Sequence, residues 1–251
     1  MIKMKGGFTI IEVSLFLAIT GLLFLGVTVG VQNSIFQQRY NDSVQNFVEF
    51  LRSAYSKIEN VQSAGVGNTS QAIYGKLITF GEEKTLTGAT NDDEIYMYDV
   101  IGDAKCNSDS GVLATLRDCN ADVINNANGA IKPYYAESYR PRWSAAIQNN
   151  EEDTGLFKGA ILIVRSPQSG TVYTFVMGNN TIEVNQGVGL SNYLEEGRGF
   201  TIDKNVDFCV NPDGNEKNSR VRADVRIVKG AQNATGIEIM PDNENECVKR
   251  D

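Results

Sequence analysis

An apolar segment near the N-terminus constrains the fold of this 251-residue chain more than any other feature. The 19 residues from Val13 to Val31 carry no charge, and Lys3 and Lys5 precede them. A helix of this length rises about 28 Å, close to the ~30 Å hydrocarbon core of a bilayer. Because lysines flank the short side, the N-terminus is expected in the cytoplasm. The sequence therefore predicts a single-pass membrane protein whose larger part lies outside the cytoplasm.

One acidic residue, Glu12, stands at the start of this segment. A secretory signal peptide would have a shorter apolar region and a small-residue cleavage site, and residues 30–34, Gly-Val-Gln-Asn-Ser, offer no such site. A plain membrane anchor accounts for the length but not for the carboxylate. Ionisable residues inside a membrane segment are costly and usually functional, so Glu12 requires a partner.

Residues 5–12, Lys-Gly-Gly-Phe-Thr-Ile-Ile-Glu, resemble the leader-peptidase site of bacterial type IV pilins and pseudopilins. The resemblance implies that prepilin peptidase cleaves between Gly7 and Phe8 and that Phe8 is then N-methylated. It also implies that Glu12 pairs with the free amine of a neighbouring subunit during assembly. Such a pair offsets its desolvation cost only when the two charges meet in a medium of low dielectric constant.

The membrane segment departs from many major pilins, which carry a proline in the middle of this helix. Here Gly21, Gly26 and Gly30 are present and proline is absent. Glycine weakens a helix less than proline does and allows neighbouring helices to approach closely. This departure favours a minor pilin or a pseudopilin over the main fibre subunit.

The helix is predicted to continue beyond the membrane as an amphipathic segment. Apolar and aromatic residues recur at spacings of three and four, at Phe36, Tyr40, Val44, Phe47, Leu51, Tyr55 and Ile58. The predicted organisation is a leader over residues 1–7 and a helix over 8–62 with its transmembrane half at 8–32. A variable αβ-loop or insertion region follows over 63–155, and an antiparallel sheet head over 156–251.

The head region contains several strand patterns. Residues 159–165 and 171–177 flank Ser-Pro-Gln-Ser-Gly and predict a hairpin, and residues 205–210 and 219–228 flank a longer turn. Residues 236–240 predict a last strand. The predicted fold class is α+β, a long N-terminal α-helix packed on an antiparallel β-sheet, and the resemblance to pilins implies the same arrangement.

Four cysteines fit an oxidising exterior. Of the three possible connectivities, Cys106–Cys119 and Cys209–Cys247 are favoured, since the first closes a short polar loop and the second ties the sheet to the C-terminal tail. A disulfide near the C-terminus is also common in pilins. Four free thiols are the alternative, and zinc is disfavoured because the chain has no histidine and no C-x-x-C spacing.

The composition argues against most enzyme classes. Without histidine, neither a Ser-His nor a Cys-His pair can form, and no phosphate-binding glycine loop occurs. A hydrolase with two carboxylates stays open, although nothing in the sequence marks such a pair. We therefore expect a non-enzyme with no cofactor.

Two surface motifs could bind a ligand. Arg220, Arg222 and Arg226 alternate along one strand and could contact DNA phosphates, or form an ordinary solvated face. Net charge is −8, and −10 once residues 1–7 are removed, which disfavours nucleic acid. Rings and guanidinium groups also cluster in an aromatic–arginine motif, which could stack on a sugar or a protein or simply pack on the sheet. Its residues are Tyr134, Tyr135, Tyr139, Arg140, Arg142 and Trp143.

Two acidic loops are the remaining candidates, because calcium prefers clusters of oxygen ligands. Their spacing is not that of an EF-hand, and a solvated charged surface is the simpler explanation. The residues are Asp213, Asn215 and Glu216 in one loop and Asp242, Glu244 and Glu246 in the other.

The sequence thus predicts a type IV pilin-like subunit, a minor pilin, that is anchored in the cytoplasmic membrane and then built into an extracellular pilus. Its expected partners are other pilin subunits through the N-terminal helix, prepilin peptidase and the assembly machinery. The alternatives are a pseudopilin of a type II secretion or competence system, or a pilus-tip adhesin or DNA receptor.

Overall fold

The structure is a computed structural model that describes residues 9–59, 71–80, 94–103, 111–125, 132–133, 136–149, 157, 159–166, 168–178, 190–194, 200–201, 204–211, 222–241 and 247. The chain divides into two units, Met1–Asp42 and Ser43–Asp251. One helix, α1 (Ile10–Glu59), contributes residues to both. We refer to Ser43–Asp251 as the globular unit.

The globular unit is built mainly from antiparallel strands. In chain order the elements are β1 (Gln71–Phe80), β2 (Ile95–Asp103), α2 (Val112–Asp118), β3 (Ile124–Asn125), β4 (Lys132–Pro133), β5 (Ala136–Tyr139), β6 (Ala146–Asn149), β7 (Gly159–Arg165), β8 (Val172–Gly178), β9 (Val206–Asn211), β10 (Ala223–Ile227) and β11 (Ile237–Ile239). Short 3-10 turns lie at Arg142–Ser144, Leu190–Tyr193 and Ala234–Gly236.

These strands form a five-stranded sheet in the order β5-β2-β1-β7-β8 and a four-stranded sheet in the order β11-β10-β9-β6, and β3 pairs with β4. The predicted hairpins are confirmed, because β7 pairs with β8 and β9 pairs with β10, both antiparallel. The last predicted strand is confirmed as β11. The long apolar helix with antiparallel sheets confirms the α+β class.

Strand β1 lies at the centre of the five-stranded sheet, between β2 and β7. It comes from the region 63–155, which the sequence suggested was a variable insertion. The sheet therefore crosses the boundary expected between residues 155 and 156. Leu77 and Ile78 of β1 are fully buried, one on each face of the sheet, so this strand is part of the core.

The C-terminal half of α1 is a core element of the globular unit. Val44, Phe47, Leu51, Tyr55 and Ile58 of the predicted stripe are buried. Phe47 contacts the rings of Phe80, Phe208 and Tyr139, which come from β1, β9 and β5. The earlier stripe positions differ, since Phe36 is 39% exposed and Tyr40 is half-buried.

The opposite face of the five-stranded sheet carries a second apolar cluster, to which α2 contributes Leu116. Tyr74 and Leu77 of β1, Leu162 of β7 and Met177 of β8 belong to this cluster. Both faces of the sheet are therefore covered, which explains why its central strands are apolar on both sides.

Candidate functional site

The N-terminal half of α1 exposes apolar side chains in every direction. Phe16, Leu22, Leu23, Phe24 and Val27 are each 64–73% exposed. Among the described residues, α1 is the single helix long and apolar enough to cross a membrane. A helix that is apolar all round requires lipid or other apolar helices around it, because water would leave this surface unfavourably solvated.

Glu12 takes part in a capping box at the start of this helix. Its Oε2 accepts hydrogen bonds from the main-chain N–H of Thr9 at 2.9 Å and from the Thr9 hydroxyl at 3.1 Å. In return, the Glu12 N–H donates to Thr9 Oγ1 at 3.3 Å. This reciprocal pattern satisfies two main-chain donors that a helix start otherwise leaves without partners.

The capping box gives Glu12 a local role that the sequence analysis missed. The Thr-x-x-Glu spacing of Thr9 and Glu12 was the available signal, since it is the pattern of a capping box before an apolar run. The hydrogen bonds stabilise the carboxylate without neutralising its charge. Gly7 and Phe8, the predicted cleavage and methylation residues, lie outside the described residues.

The helix passes through Gly21, Gly26 and Gly30 without interruption. A Cβ added at any of these positions would meet nothing within 4 Å. No contact among the described residues therefore requires glycine there, and the three positions leave room for a neighbouring helix to approach.

The predicted arginine row is not an open basic surface. Arg226 forms an ion pair with Asp207 on the neighbouring strand, and its guanidinium lies 4.0 Å from the carboxylate of Asp224. Its side chain is only 16% exposed, and Arg222 is half-buried. Arg220 lies outside the described residues. The charge of Arg226 is thus used in ion pairs within the four-stranded sheet, and this residue does not support the DNA hypothesis.

The same face of the four-stranded sheet is a buried polar layer. Gln148, Asn211 and Asp224 are at most 1% exposed and lie on neighbouring strands. Cys209, in the middle of this layer, forms the predicted disulfide with Cys247, which is confirmed. The tail is therefore attached covalently to a part of the sheet that is polar and shielded from water.

The other predicted disulfide involves Cys119, which is fully buried and disulfide-bonded. Cys106, its predicted partner, lies outside the described residues. The acidic loop residues proposed for calcium lie there too. Within the described part of the chain, no group of three or more acidic or cysteine side chains is placed to hold a metal ion. The loop residues in question are Asp213, Asn215, Glu216, Asp242, Glu244 and Glu246.

The aromatic–arginine motif is divided between packing and surface. The Tyr139 ring stacks on Phe50 of α1 with centroids 4.7 Å apart, so Tyr139 serves the junction between helix and sheet. Arg140 and Arg142 are exposed, and Trp143 is 52% exposed. Ser43 of α1 donates from its hydroxyl to the Arg142 carbonyl at 3.1 Å and fixes this loop to the helix.

Two tyrosine hydroxyls in this core differ in their hydrogen bonding. Thr174 donates its only hydroxyl proton to the Ala231 carbonyl at 2.6 Å, so the Tyr55 hydroxyl, 2.8 Å away, must donate to Thr174 Oγ1. The Tyr139 hydroxyl is buried and has no hydrogen-bond partner among the described residues. Burial raises the pKa of both phenols to about 12, against a weaker opposing effect of Thr174 on Tyr55 and of Arg142 on Tyr139.

We expect Tyr139→Phe to leave the free energy of unfolding unchanged or to raise it by about 1 kcal/mol, because it removes a buried hydroxyl that lacks a described partner. The matched variant Tyr55→Phe should lower it by about 1 kcal/mol, since a satisfied hydrogen bond is lost. Denaturant unfolding of the full chain in detergent measures both. Equal losses in the two variants would contradict the assignment of partners.

The same phenols predict a pH dependence. Their pKa values in the folded protein exceed the ordinary value of 10, so folding favours the protonated form. Their contribution to stability is complete below pH 10 and is lost as the pH rises towards 12. We therefore expect the free energy of unfolding to fall less steeply above pH 10 when Tyr55 is replaced by Phe. Denaturant unfolding of the two proteins between pH 9 and about pH 12 measures the difference.

No protein-family model, curated protein or solved structure matches the chain. The observations that bear on function are therefore internal to the molecule. They are an apolar helix with a capped acidic start, its burial in the globular unit from Val44 onwards, and a disulfide-bonded C-terminal tail.

Proposed function

We propose that this chain is a type IV pilin-like subunit, a minor pilin that is cleaved after Gly7, held in the cytoplasmic membrane by α1 and then incorporated into a pilus. The observation that carries the proposal is the change of character along α1. Its first half exposes apolar side chains all round, and its second half is a buried core element of the globular unit. A subunit that leaves a membrane for a fibre needs such a helix, because like helices can replace the lipid.

The capping box supports an assembly role for Glu12. Among the described residues its carboxylate accepts hydrogen bonds from Thr9 only, and both residues are exposed. A carboxylate needs a cation to offset its desolvation in an apolar medium, and a helix cap supplies only part of that stabilisation. The free amine created by cleavage before Phe8 on a neighbouring subunit would supply the opposite charge.

The test separates the charge of Glu12 from its capping. Glu12→Gln keeps an amide oxygen that can complete a capping box but removes the charge, whereas Thr9→Ala removes the box and keeps the charge. We expect Glu12→Gln and Glu12→Ala to insert in the membrane normally yet to reduce incorporation into sheared pili at least tenfold. Thr9→Ala should retain most incorporation, as measured by quantitative immunoblotting of the fibre fraction.

Normal incorporation of Glu12→Gln together with loss in Thr9→Ala would reject charge pairing, because the carboxylate would then act only as a cap. The leader is tested separately. Gly7→Ala should block cleavage and leave residues 1–7 attached, which intact mass spectrometry detects directly. The same spectrum reports N-methylation of Phe8 and the state of the disulfides.

The alternatives differ in the assembly that the subunit serves. A secretion or competence pseudopilin would use the same helix and the same Glu12, so deletion should impair secretion or DNA uptake in place of piliation. For a tip-exposed adhesin, deletion should leave fibres intact and abolish attachment. The DNA-receptor hypothesis is weakened, because one of the three arginines on which it rests, Arg226, forms an ion pair with Asp207.

A further inference from the structure

We propose that an exposed loop of the globular unit, residues 140–144, binds an acidic saccharide, a sugar whose ring carries a carboxylate. We call it the Arg-Trp loop, after Arg140, Arg142 and Trp143. The sequence left three roles open for this region, namely stacking on a sugar, stacking on a protein and packing on the sheet. The conformation, charge and surroundings of the loop favour the first. The inference goes beyond the proposed assembly role, since it gives the globular unit a ligand of its own.

The backbone of the loop has a fixed and unusual conformation. Trp143 has φ 60° and ψ 29°, a left-handed conformation that bulky residues rarely adopt. The Arg142 carbonyl, just before it, accepts hydrogen bonds from the Ser43 hydroxyl and from the Ala145 N–H, both at 3.1 Å. Such conformations persist where the surroundings impose them, and they cluster at binding and active sites. The loop is therefore preorganised, and a ligand has little backbone order to impose when it binds.

The charge of the loop selects an anionic ligand. Arg140 and Arg142 are exposed, and neither guanidinium forms an ion pair or a hydrogen bond with another described residue. Glu137, the nearest acidic residue in the sequence, is paired with Lys57, and residues 138–150 contain no acidic side chain. Arginine binds carboxylates through paired, charge-assisted hydrogen bonds. On a chain with a net charge of −8, the loop is thus a local basic surface suited to a carboxylate.

Trp143 supplies an apolar face beside these charges. Its side chain is 52% exposed. It belongs to the same four consecutive residues as Arg140 and Arg142, and the Cα atoms of these four span at most about 11 Å. The negative face of an aromatic ring attracts the polarised C–H groups on the flat side of a sugar ring. A carboxylate on a sugar stacked in this way lies within reach of a guanidinium.

The surroundings of Trp143 disfavour a protein partner. Within the described part of the globular unit, the other exposed large apolar side chain is Ile239. Ile239 lies on β11, whereas the loop leads into β6, at the opposite edge of the four-stranded sheet. A stable protein interface buries roughly 800 Å² per partner around an apolar core. One indole with two cations offers no such core, but it matches a small polar ligand that has one flat apolar face.

A single-stranded nucleic acid also combines rings with negative charge. It carries a phosphate for every base, and its affinity depends on how many phosphates the protein neutralises. The loop supplies two arginines, and the net charge of −8 repels a polyanion at long range. A saccharide with few carboxylates avoids most of this repulsion. The acidic saccharide is therefore favoured, and nucleic acid becomes an outcome of the test.

Trp143 is the only tryptophan of the chain, so its fluorescence reports directly on the loop. The full chain in detergent is titrated with a short oligogalacturonate, in which each sugar ring carries a carboxylate. Its methyl ester keeps the rings without the charge, an oligoglutamate keeps the charge without the rings, and an oligothymidylate of equal charge offers bases and phosphates. We expect the oligogalacturonate to change the Trp143 emission and to bind at least about tenfold more tightly than each of the other three probes.

Variants of the loop test the residues. Arg140→Gln combined with Arg142→Gln should weaken oligogalacturonate binding at least about tenfold, because charge-assisted hydrogen bonds are lost. Trp143→Asn should weaken it about fivefold, as measured by calorimetry, while the loop keeps its backbone because asparagine tolerates the left-handed conformation. Arg117→Gln is the matched control, since this side chain is 51% exposed on α2, outside the loop, and its loss should leave binding unchanged. The melting temperature of each variant verifies that it is folded.

Several results would overturn the proposal. Equal affinity for oligoglutamate would reduce the loop to a charged surface, and equal affinity for the methyl ester would show that the arginines take no part. Tighter binding of oligothymidylate would identify a nucleic-acid site, and an emission unchanged by all four probes would show that the loop binds no saccharide. None of these results touches the proposed assembly role, because incorporation of the Glu12 variants into fibres is measured separately.

Discussion

Replacing either member of the buried ion pair Lys76–Asp99 is expected to lower the free energy of unfolding of the globular unit by about 3–5 kcal/mol. The two residues face each other across β1 and β2, and their side chains are only 8% and 11% exposed. Removing one partner leaves the other charge buried without its counter-ion. Lys76→Met and Asp99→Leu, measured singly by denaturant unfolding in detergent, test this.

The double variant, Lys76→Met with Asp99→Leu, tests whether the loss in the single variants comes from the unpaired buried charge. With both charges gone, an apolar pair of similar volume should restore stability to near that of the natural protein, because the desolvation cost disappears with the charges. Lys57→Met is the matched control, since the Lys57–Glu137 pair is 37% exposed on both sides. It should cost at most about 1 kcal/mol. A Lys76→Met loss no larger than that of Lys57→Met would show that the buried pair is hydrated.

The same pair explains why the sequence revealed only part of the sheet. The β7–β8 hairpin was predictable because its signal is local, with a short turn closed by the hydrogen bond from the Ser166 N–H to the Thr171 carbonyl. Strand β1 was not predictable in this way, because Lys76 interrupts its apolar run. A lysine at such a position usually indicates a residue at the protein surface. Its partner, Asp99, is 23 positions away. Only pairing between distant strands makes a buried lysine tolerable.

The candidate site residues divide in the same way. The disulfide Cys209–Cys247 was predicted from few cysteines and the resemblance to pilins, and it is confirmed. Glu12 was singled out through a local motif, and its assembly role stays a prediction. The arginine row was expected on a surface. The sequence predicted the strands of the β9–β10 hairpin but not the register that sets Arg226 opposite Asp207. Without that register, the alternation of charges could not be distinguished from a solvated face.

Phe47→Ala should destabilise the globular unit by about 3–5 kcal/mol, the usual cost of truncating a fully buried phenylalanine. Phe47 is 0% exposed, and its ring lies 5.6 Å from that of Phe208 and 6.4 Å from that of Phe80. For a unit of this size, such a loss lowers the melting temperature by roughly 6–20 °C. Thermal unfolding of the full chain in detergent, followed by near-ultraviolet circular dichroism, measures the shift.

Phe24→Ala is the matched control, on the same helix and with the same chemical change. Phe24 is 73% exposed, so its truncation opens no cavity and should leave the melting temperature of the globular unit unchanged. Its cost should appear in membrane partitioning, because a large apolar side chain is lost from the exposed apolar surface of the helix. Equal melting shifts in the two variants would contradict the division of α1 into an exposed apolar half and a buried structural half. A shift confined to Phe47→Ala would show that the buried second half of α1 stabilises the globular unit, whereas the exposed ring of Phe24 in the first half does not.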